Sequence, residues 1–477
     1  MEKINYKNLG LKIGLEIHQE LSGTKLFCSC STDLKEENKI IEIMRKIKPS
    51  IGETGEIDIA SLYEEKKKKE FIYYGYENEC CLIDIDDQPP NEINHNALKT
   101  ALEAAMLLKL QIPNILCAMR KVITDGSAIS GFQRSILIGI GTEESYILTS
   151  KGKVRIKDLY LEEDAAKIIK KEENKTFFSL SRTGIPLLEI GTQPDIKTPE
   201  QAKETAEQIG MILRSFTNIR RGIGTIRQDV NLSIKSGARI EIKGFQDLRT
   251  MPKVIENEIQ RQLDLIKDGK KITPEVRKAN SDGTTSYLRP MPGATRLYPE
   301  TDVPNYLITK KLLDSLEIPE LIADRAVNFE KKYNISSTHS HEIIKNNIPF
   351  DYYAEKYSIE PKTIANILID LPKDIKTRHK ITPQLSKKDF EFVFENMQNN
   401  NISKDAVYDI LLKLAKNEKV NLSEYKAKET PDIEHEIKKL VEKNKGATFN
   451  AVMGEVMSKF KGKVDNKKIV DLVKKYM

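Results

Sequence analysis

The sequence predicts an α+β body followed by an all-α region, and three observations carry that prediction. Residues 222–244 form two arms of strict apolar–polar alternation joined at a short turn. Two stretches, opening at Thr198 and Thr250, carry the start and stop signals of helices, and beyond residue 307 only helical spacing recurs. At 477 residues the chain exceeds one core of ordinary size, so two to four domains are expected.

Taken in order, LKIGLEIHQEL reads as a strand, with Ile13, Leu15 and Ile17 on one face and Glu16 and His18 on the other. LYLEEDAAKII reads as a helix start, with Glu162, Glu163 and Asp164 in the first turn, where acids complement the macrodipole. Thr198, Pro199 and Gln201 supply an N-cap, a first-turn proline and a capping box, and Ala202, Ala206, Ile209, Leu213 and Phe216 form the buried stripe that follows. In the 222–244 hairpin, Ile226, Val230, Leu232, Ile234, Ile240 and Ile242 take one face. Arg227, Asp229, Asn231, Arg239, Glu241 and Lys243 take the other, with the turn at Lys235, Ser236 and Gly237. A helix from Thr250 and Pro252 buries Ile255, Ile259, Leu263 and Ile266 and stops near Gly269. The principal boundary falls near Pro304–Leu312, after which helices alternate with loops at 348–349, 382–383 and 398–402, and a second break lies near Glu429 and Pro431.

Net charge is +6, and residues 446–477 hold seven lysines against three acids, 7 − 3 = +4. Such a tail suits a phosphate backbone or an acidic partner as well as it suits solvated helix faces. Five cysteines, an odd number in a long chain, point to reduced thiols. The charged N-terminus and the absence of an apolar run near ~18 residues predict a cytoplasmic protein without a membrane span.

Several residues are placed for chemistry. Glu16 and His18, two apart on one strand face, can grip a divalent cation together. Glu189 stands among Leu187, Leu188 and Ile190, where an unpaired carboxylate costs several kcal/mol, so it needs a cation, from protein or metal. Oxygen donors with one imidazole favour magnesium or manganese over zinc. Each acidic cluster also has a plain reading, as an ion-paired strand face or a helix start. Cys28 and Cys30 could open a zinc site, but Cys80 and Cys81 follow about fifty residues later, without ordinary ligand spacing. Phosphate-loop and dinucleotide glycine patterns are absent, so a nucleotide would be held by metal ions and by basic groups such as Arg120, Lys121, Arg227, Lys243 and Arg296. Hydrolase elbows and amidase-type serine loops are also absent, so any ammonia used here is expected from a separate subunit.

Together LGLKIGLEIHQEL, KLFCSCS, YLEEDAAK, SRTGIPLLEIGTQPDIKTPEQA, GIGTIRQDVNLSI, ARIEIKG and RPMPGATRLYPETDVP resemble the B/E family of tRNA-dependent amidotransferase subunits, its archaeal E branch more than its bacterial B branch. The resemblance implies an antiparallel-sheet catalytic cradle over 1–307, a helical domain over 308–428 and a YqeY-like, tRNA-contacting helical tail over 429–477. It implies ATP and Mg2+ as cofactors, glutamyl-tRNA(Gln) as substrate and an asparaginase-like D subunit supplying ammonia within a hetero-oligomer. It also implies that ATP phosphorylates the glutamate side chain and that ammonia displaces the phosphate. By motif, His18, Glu163 and Glu189 would hold metal, with Glu16, Glu162, Asp229 and Glu241 in the same cradle; Asp229 and Glu241 join the first three as catalytic groups. A tRNA-binding scaffold whose cradle no longer catalyses, and a B-type subunit also using aspartyl-tRNA(Asn), stay open as alternatives. One departure stands out: the family's E branch carries an inserted domain where Asp268 to Thr273 here simply joins the two sides.

Overall fold

The structure, a computed structural model, describes residues 5–49, 51, 55–245, 247–293, 297–425, 430–444, 448–460 and 466–477. The chain divides into two compact units, Met1–Glu320 and Leu321–Met477.

The strands of the first unit are β1 (Lys12–Glu20), β2 (Lys39–Arg45), β3 (Glu70–Tyr76), β4 (Ile115–Leu116), β5 (Ala118–Val122), β6 (Phe132–Ile140), β7 (Tyr146–Thr149) and β8 (Gly152–Glu163). They continue with β9 (Lys167–Lys171), β10 (Lys175–Ser179), β11 (Pro186–Thr192), β12 (Ile226–Ser233), β13 (Ile240–Phe245), β14 (Glu275–Ala279), β15 (Thr285–Pro290), β16 (Leu297–Pro299) and β17 (Tyr306–Leu307). Eleven form one sheet in the order β15-β14-β13-β12-β1-β11-β8-β6-β5-β16, with β7 paired to β8. All its pairs are antiparallel except β13–β14. A smaller sheet runs β2-β3-β10-β9, and β17 pairs with β4.

Four helices of this unit bear on the site: α1 (Ile59–Lys66), α2 (His95–Leu107), α3 (Pro199–Leu213) and α4 (Met251–Lys267). Ile13, Leu15 and Ile17 of β1, Leu188 and Ile190 of β11, and Val230 and Leu232 of β12 join Ala101, Ala105, Ala206, Ile209 and Ile255 of the helices in one buried core. Strand alternation therefore commits one sheet face to the helices and leaves the other for polar groups. The expected stripe of α3, Ala202, Ala206, Ile209, Leu213 and Phe216, is buried throughout. Its N-cap forms as expected, Thr198 Oγ1 accepting from Gln201 N at 3.2 Å, but Gln201 Oε1 accepts from Lys197 N rather than closing back on the cap.

The hairpin turn packs tightly on α4. A Cβ on Gly237 would lie 2.0 Å from Gln262 Oε1, the same atom that accepts from Ala238 N at 3.1 Å, so only glycine lets the turn approach that amide. The connection after α4, residues 268–274, is short, with Gly269 at φ +69°, and β14 follows directly at Glu275.

LYLEEDAAKII departs from expectation. Glu162 and Glu163 end the twelve-residue strand β8, and β9 begins at Lys167. β8 lies between β11 and β6, which satisfy its backbone groups, while Leu159 and Leu161 are fully buried. Two sheet neighbours and a core face outweigh the local acidic signal for a helix.

Beyond Leu307 no strand occurs among the described residues. The second unit is helical, from Ile322–Tyr333 through Ala406–Ala415. The last helices, Thr430–Lys443, Phe449–Phe460 and Asn466–Tyr476, share a core of Ile437, Val441, Val452, Val456, Ile469 and Val473. The break expected at Glu429 lies outside the described residues. Among the described residues, no helix is long and apolar enough to cross a membrane.

Candidate active site

The face of the large sheet opposite the helices collects the charged side chains. In β1, Glu16 and His18 lie on this face by alternation; Glu16 sits opposite Asp229, and His18 sits between Glu189 and Arg227. The β12–β13 register shifts between Gln228 and Val230, where Lys243 and Gly244 of β13 together oppose Asp229; the bulge is carried by β13, with Gly244 at φ +95°, and re-aims the strand beside Asp229. Glu241 lies across from Asn231 in the same ladder.

Two sets of three donors result, each with its atoms within 4.8 Å of one another: His18, Glu162 and Glu189, and Glu16, Asp229 and Glu241. His18 Nε2 lies 3.2 Å from Glu189 Oε2. Lys121 Nζ lies 2.6 Å from Glu162 Oε1 and 3.6 Å from Glu189 Oε2. Gln133 and Ser135 also donate to Glu162. In the second set Lys243 Nζ is 2.7 Å from Asp229 and 2.6 Å from Glu241, and Asn231 donates to Glu16 at 3.0 Å.

The electrostatics follow from crowding. Burial, then the charges of Glu189 and Glu241, push the Glu16 carboxyl up to about 7. Burial opposes ionisation of Glu189 and Asp229, but Lys121 and His18 hold Glu189 well below the usual range, and Lys243 with His18 lowers Asp229. Burial likewise opposes a charged His18, yet Glu189 and Asp229 leave it raised. Carboxylates packed this closely repel, and a divalent cation relieves that repulsion; oxygen donors with one imidazole suit magnesium or manganese. The residues present fit such an ion at either set.

The structure brings together most of the expected residues, with two corrections. Glu162, rather than Glu163, joins His18 and Glu189. Adjacent residues of a strand face opposite sides, so Glu163 turns away and meets Arg134, whose backbone N–H donates to it at 3.1 Å and whose Nη1 lies 3.4 Å off. Arg120 turns away for the same reason. It pairs with Glu300 and Asp302 and packs its guanidinium 4.5 Å from the Phe132 ring centre, while its neighbour Lys121 enters the site. Arg227 and Lys243 line the cavity, although Arg227 is held bidentately by Asp164 at 2.8 and 3.0 Å. Arg296 lies outside the described residues.

Above these groups lies a cavity of two lobes. The first, about 540 Å3, is lined by His18, Asp164, Arg182, Arg227, Asp229, Lys243 and Arg289 among others. The second, about 500 Å3, is lined by Lys12, Gly14, Lys157, Tyr160, Thr192 and Asn231. Glu16, Lys121, Glu162, Glu189 and Arg239 line both. On two central strands the order is the same: His18 then Glu16 then Gly14 on β1, and Asp229 then Asn231 on β12, pass from the first lobe to the second. A row of carboxylates thus divides two chambers on one sheet face. Sequence reasoning did not single out Arg182, Arg289, Gln133 or Ser135. Arg182 sits in the SRTGIPLLEIG stretch, but nothing in its spacing distinguishes it from a surface arginine.

A separate thiol-rich group lies elsewhere in the unit. The Sγ atoms of Cys28, Cys30 and Cys81 and an Asp84 oxygen lie within 4.8 Å of one another, the donor types of tetrahedral zinc. The fifty-residue gap that argued against pairing these cysteines is closed by the fold. Asp84 is also engaged by Lys25, Nζ to Oδ1 at 3.1 Å in full burial, and the bond with Cys30, then burial, pushes the Cys28 thiol up.

Residues 11–314 match the family described as the GatB/GatE catalytic domain. The chain belongs to the GatB/GatE family. Similar proteins include the E subunit of glutamyl-tRNA(Gln) amidotransferase from Methanocaldococcus jannaschii, 32% identical with 99% of each chain covered. The E subunits of Archaeoglobus fulgidus, at 32% with 99% of this chain and 98% of that protein, and of Methanosarcina barkeri, at 32% with 100% and 99%, are equally similar. The alignment with the M. jannaschii protein runs 632 positions, so at least 155 of them, 632 minus 477, carry no residue of this chain. This GatB/GatE member thus leaves a large part of that alignment unfilled, and its short α4–β14 connection agrees with that.

Proposed function

We propose that this chain is the kinase and transamidase subunit of a glutamyl-tRNA(Gln) amidotransferase. The side-chain carboxylate of glutamate on tRNA(Gln) attacks the γ-phosphorus of ATP, and ADP leaves. Ammonia then attacks the acyl carbon and loses a proton, phosphate departs, and glutaminyl-tRNA(Gln) results. A carboxylate is a poor electrophile until phosphorylated, and the phosphorylation brings several anions together, so it depends on cations already in place.

The observation that carries this reading is the carboxylate row shared by two chambers. The chamber with Arg182, Arg227, Lys243 and Arg289 suits the polyphosphate, and the chamber with Tyr160, Asn231 and Thr192 suits a polar acceptor. His18, Glu162 and Glu189 would hold one Mg2+, and Glu16, Asp229 and Glu241 another. Magnesium supplies charge neutralisation on phosphate oxygens when bound. Lys121, in contact with Glu162 and Glu189 and bordering both chambers, orients the anion that passes between them. Ammonia would come from a separate subunit, asparaginase-like as the resemblance to archaeal E subunits implies.

The test uses purified chain, misacylated tRNA, ATP and free ammonium, which removes the need for the ammonia donor. Asp229→Ala or Glu241→Ala is expected to abolish glutaminyl-tRNA formation while tRNA binding survives. Near-normal turnover in both variants would sink the assigned role of the hairpin.

A further inference from the structure

The small sheet has one face with no role in the site just described. Its inner face packs Phe71, Tyr73, Phe178 and Leu180 into a core of its own. Alternation sends Ile72 and Tyr74 of β3 and Phe177 of β10 to the outer face, where all three are partly exposed. The Tyr74 and Phe177 rings lie 6.1 Å apart, centre to centre. Lys39 Nζ sits 4.5 Å from the Tyr74 ring centre and Lys170 Nζ 5.8 Å from that of Phe177, so each ring has an ammonium beside it. Met44, 57% exposed, pairs beside Ile72 and widens the patch.

The charge around these rings is one-sided. Residues 39–48, 70–76 and 167–179, the strands with the turns that flank them, hold eight Lys and Arg against four Glu, 8 − 4 = +4. The ion pairs present, such as Lys39–Glu42, Lys46–Glu70 and Lys170–Glu172, involve exposed lysines and are worth little, so these cations can exchange their partners for phosphate.

We infer that the outer face of the β2-β3-β10-β9 sheet is an RNA-stacking platform, on which unpaired bases of the tRNA substrate rest against Tyr74 and Phe177 while Lys39, Lys170 and their neighbours meet the backbone. The inference rests on the proposed tRNA substrate. Its physical ground is independent of the cavity: aromatic faces on an open sheet, bordered by cations, are how proteins hold single-stranded bases without hydrogen-bond readout. In a chain that leaves at least 155 positions of its alignment with a relative unfilled, such a surface supplies RNA contact within the catalytic unit itself.

The experiment measures binding of unacylated tRNA(Gln) transcript to the full chain by fluorescence anisotropy over a salt series, together with ATP cleavage stimulated by glutamyl-tRNA(Gln). The Tyr74→Ala/Phe177→Ala double variant is expected to weaken tRNA binding about tenfold or more. A second variant, Lys39→Glu/Lys170→Glu, changes only exposed groups and so keeps the fold; it is expected to weaken binding and to reduce the salt dependence. In both, ATP cleavage at saturating tRNA stays near that of the parent chain, with the loss appearing in the tRNA concentration required. Parent-like tRNA affinity in the charge-reversed variant overturns the platform. Parent-like tRNA affinity with lost association of the ammonia-supplying subunit also overturns it, and assigns the face to protein instead. A parent chain that binds tRNA and never cleaves ATP with glutamyl-tRNA(Gln) present refutes the catalytic reading and leaves the platform standing.

Discussion

Replacing Glu162 and Glu163 one at a time by glutamine separates catalysis from folding within two adjacent residues. Glu162 accepts from Lys121 at 2.6 Å and from Gln133 at 3.0 Å, and shares a three-donor set with His18 and Glu189. Glutamine keeps the shape and removes the charge that holds both the ammonium and a cation. Loss of one preorganised electrostatic group costs about 10²–10³ in turnover, or roughly 2.7–4 kcal/mol of barrier. Glu163 faces the other way, where its loss leaves Arg134 still bonded through Nε to Glu300 at 2.8 Å. Arg134 keeps that partner, so the penalty is about 1–3 kcal/mol of folding stability, below the ~3–5 of a buried charge stripped of its only partner. The assay pairs glutaminyl-tRNA formation from free ammonium with thermal unfolding. Glu162→Gln is expected to lose turnover by that factor with a melting shift no larger than that of Glu163→Gln, and Glu163→Gln to melt lower and turn over within a few-fold of the parent. The opposite pattern, an inactive but fully stable Glu163→Gln beside an active Glu162→Gln, would refute the placement of the two side chains.

Two further outcomes are expected. Magnesium titrated into chelator-treated chain should raise the unfolding midpoint, since an ion bound at 100 times its Kd adds about 2.7 kcal/mol; a flat response in the parent chain would count against both donor sets, and a Glu16→Gln/Asp229→Asn/Glu241→Gln variant should show a smaller rise. Gly237→Ala should destabilise the hairpin by about 1–3 kcal/mol through overpacking, because its Cβ meets Gln262 Oε1 at 2.0 Å; denaturant titration reads this, and an unchanged midpoint would show that Gln262 moves aside freely.

What was legible in the sequence was whatever alternation or a cap could express. Glu16 with His18, and Asp229 with Glu241, share the site face because each pair fits a period of two, and α3 and α4 begin and end close to where their prolines and glycine place them. Adjacent like residues were the failure. Glu162 and Glu163, or Arg120 and Lys121, are equivalent in composition, and only the register of β8 and β5 against their neighbours decides which of each pair enters the cavity. The helix expected at 162–164 failed because its acids answered a local rule while the strand was held by β6 and β11, far away in sequence. Distance along the chain also hid the group of Cys28, Cys30, Cys81 and Asp84, and the outer face of the small sheet, whose four strands come from three separate stretches.

The carboxylate row between the two chambers has a thermodynamic consequence. Glu16, Glu189 and Glu162 border both volumes, so a polyanion and its counter-ions arriving on one side change the protonation and positions felt on the other. On the proposed function, binding on the two sides is linked, and linkage is reciprocal: by whatever factor nucleotide alters affinity for the aminoacyl end, the aminoacyl end alters affinity for nucleotide. On that reading the two substrates are each other's effectors before any bond is made.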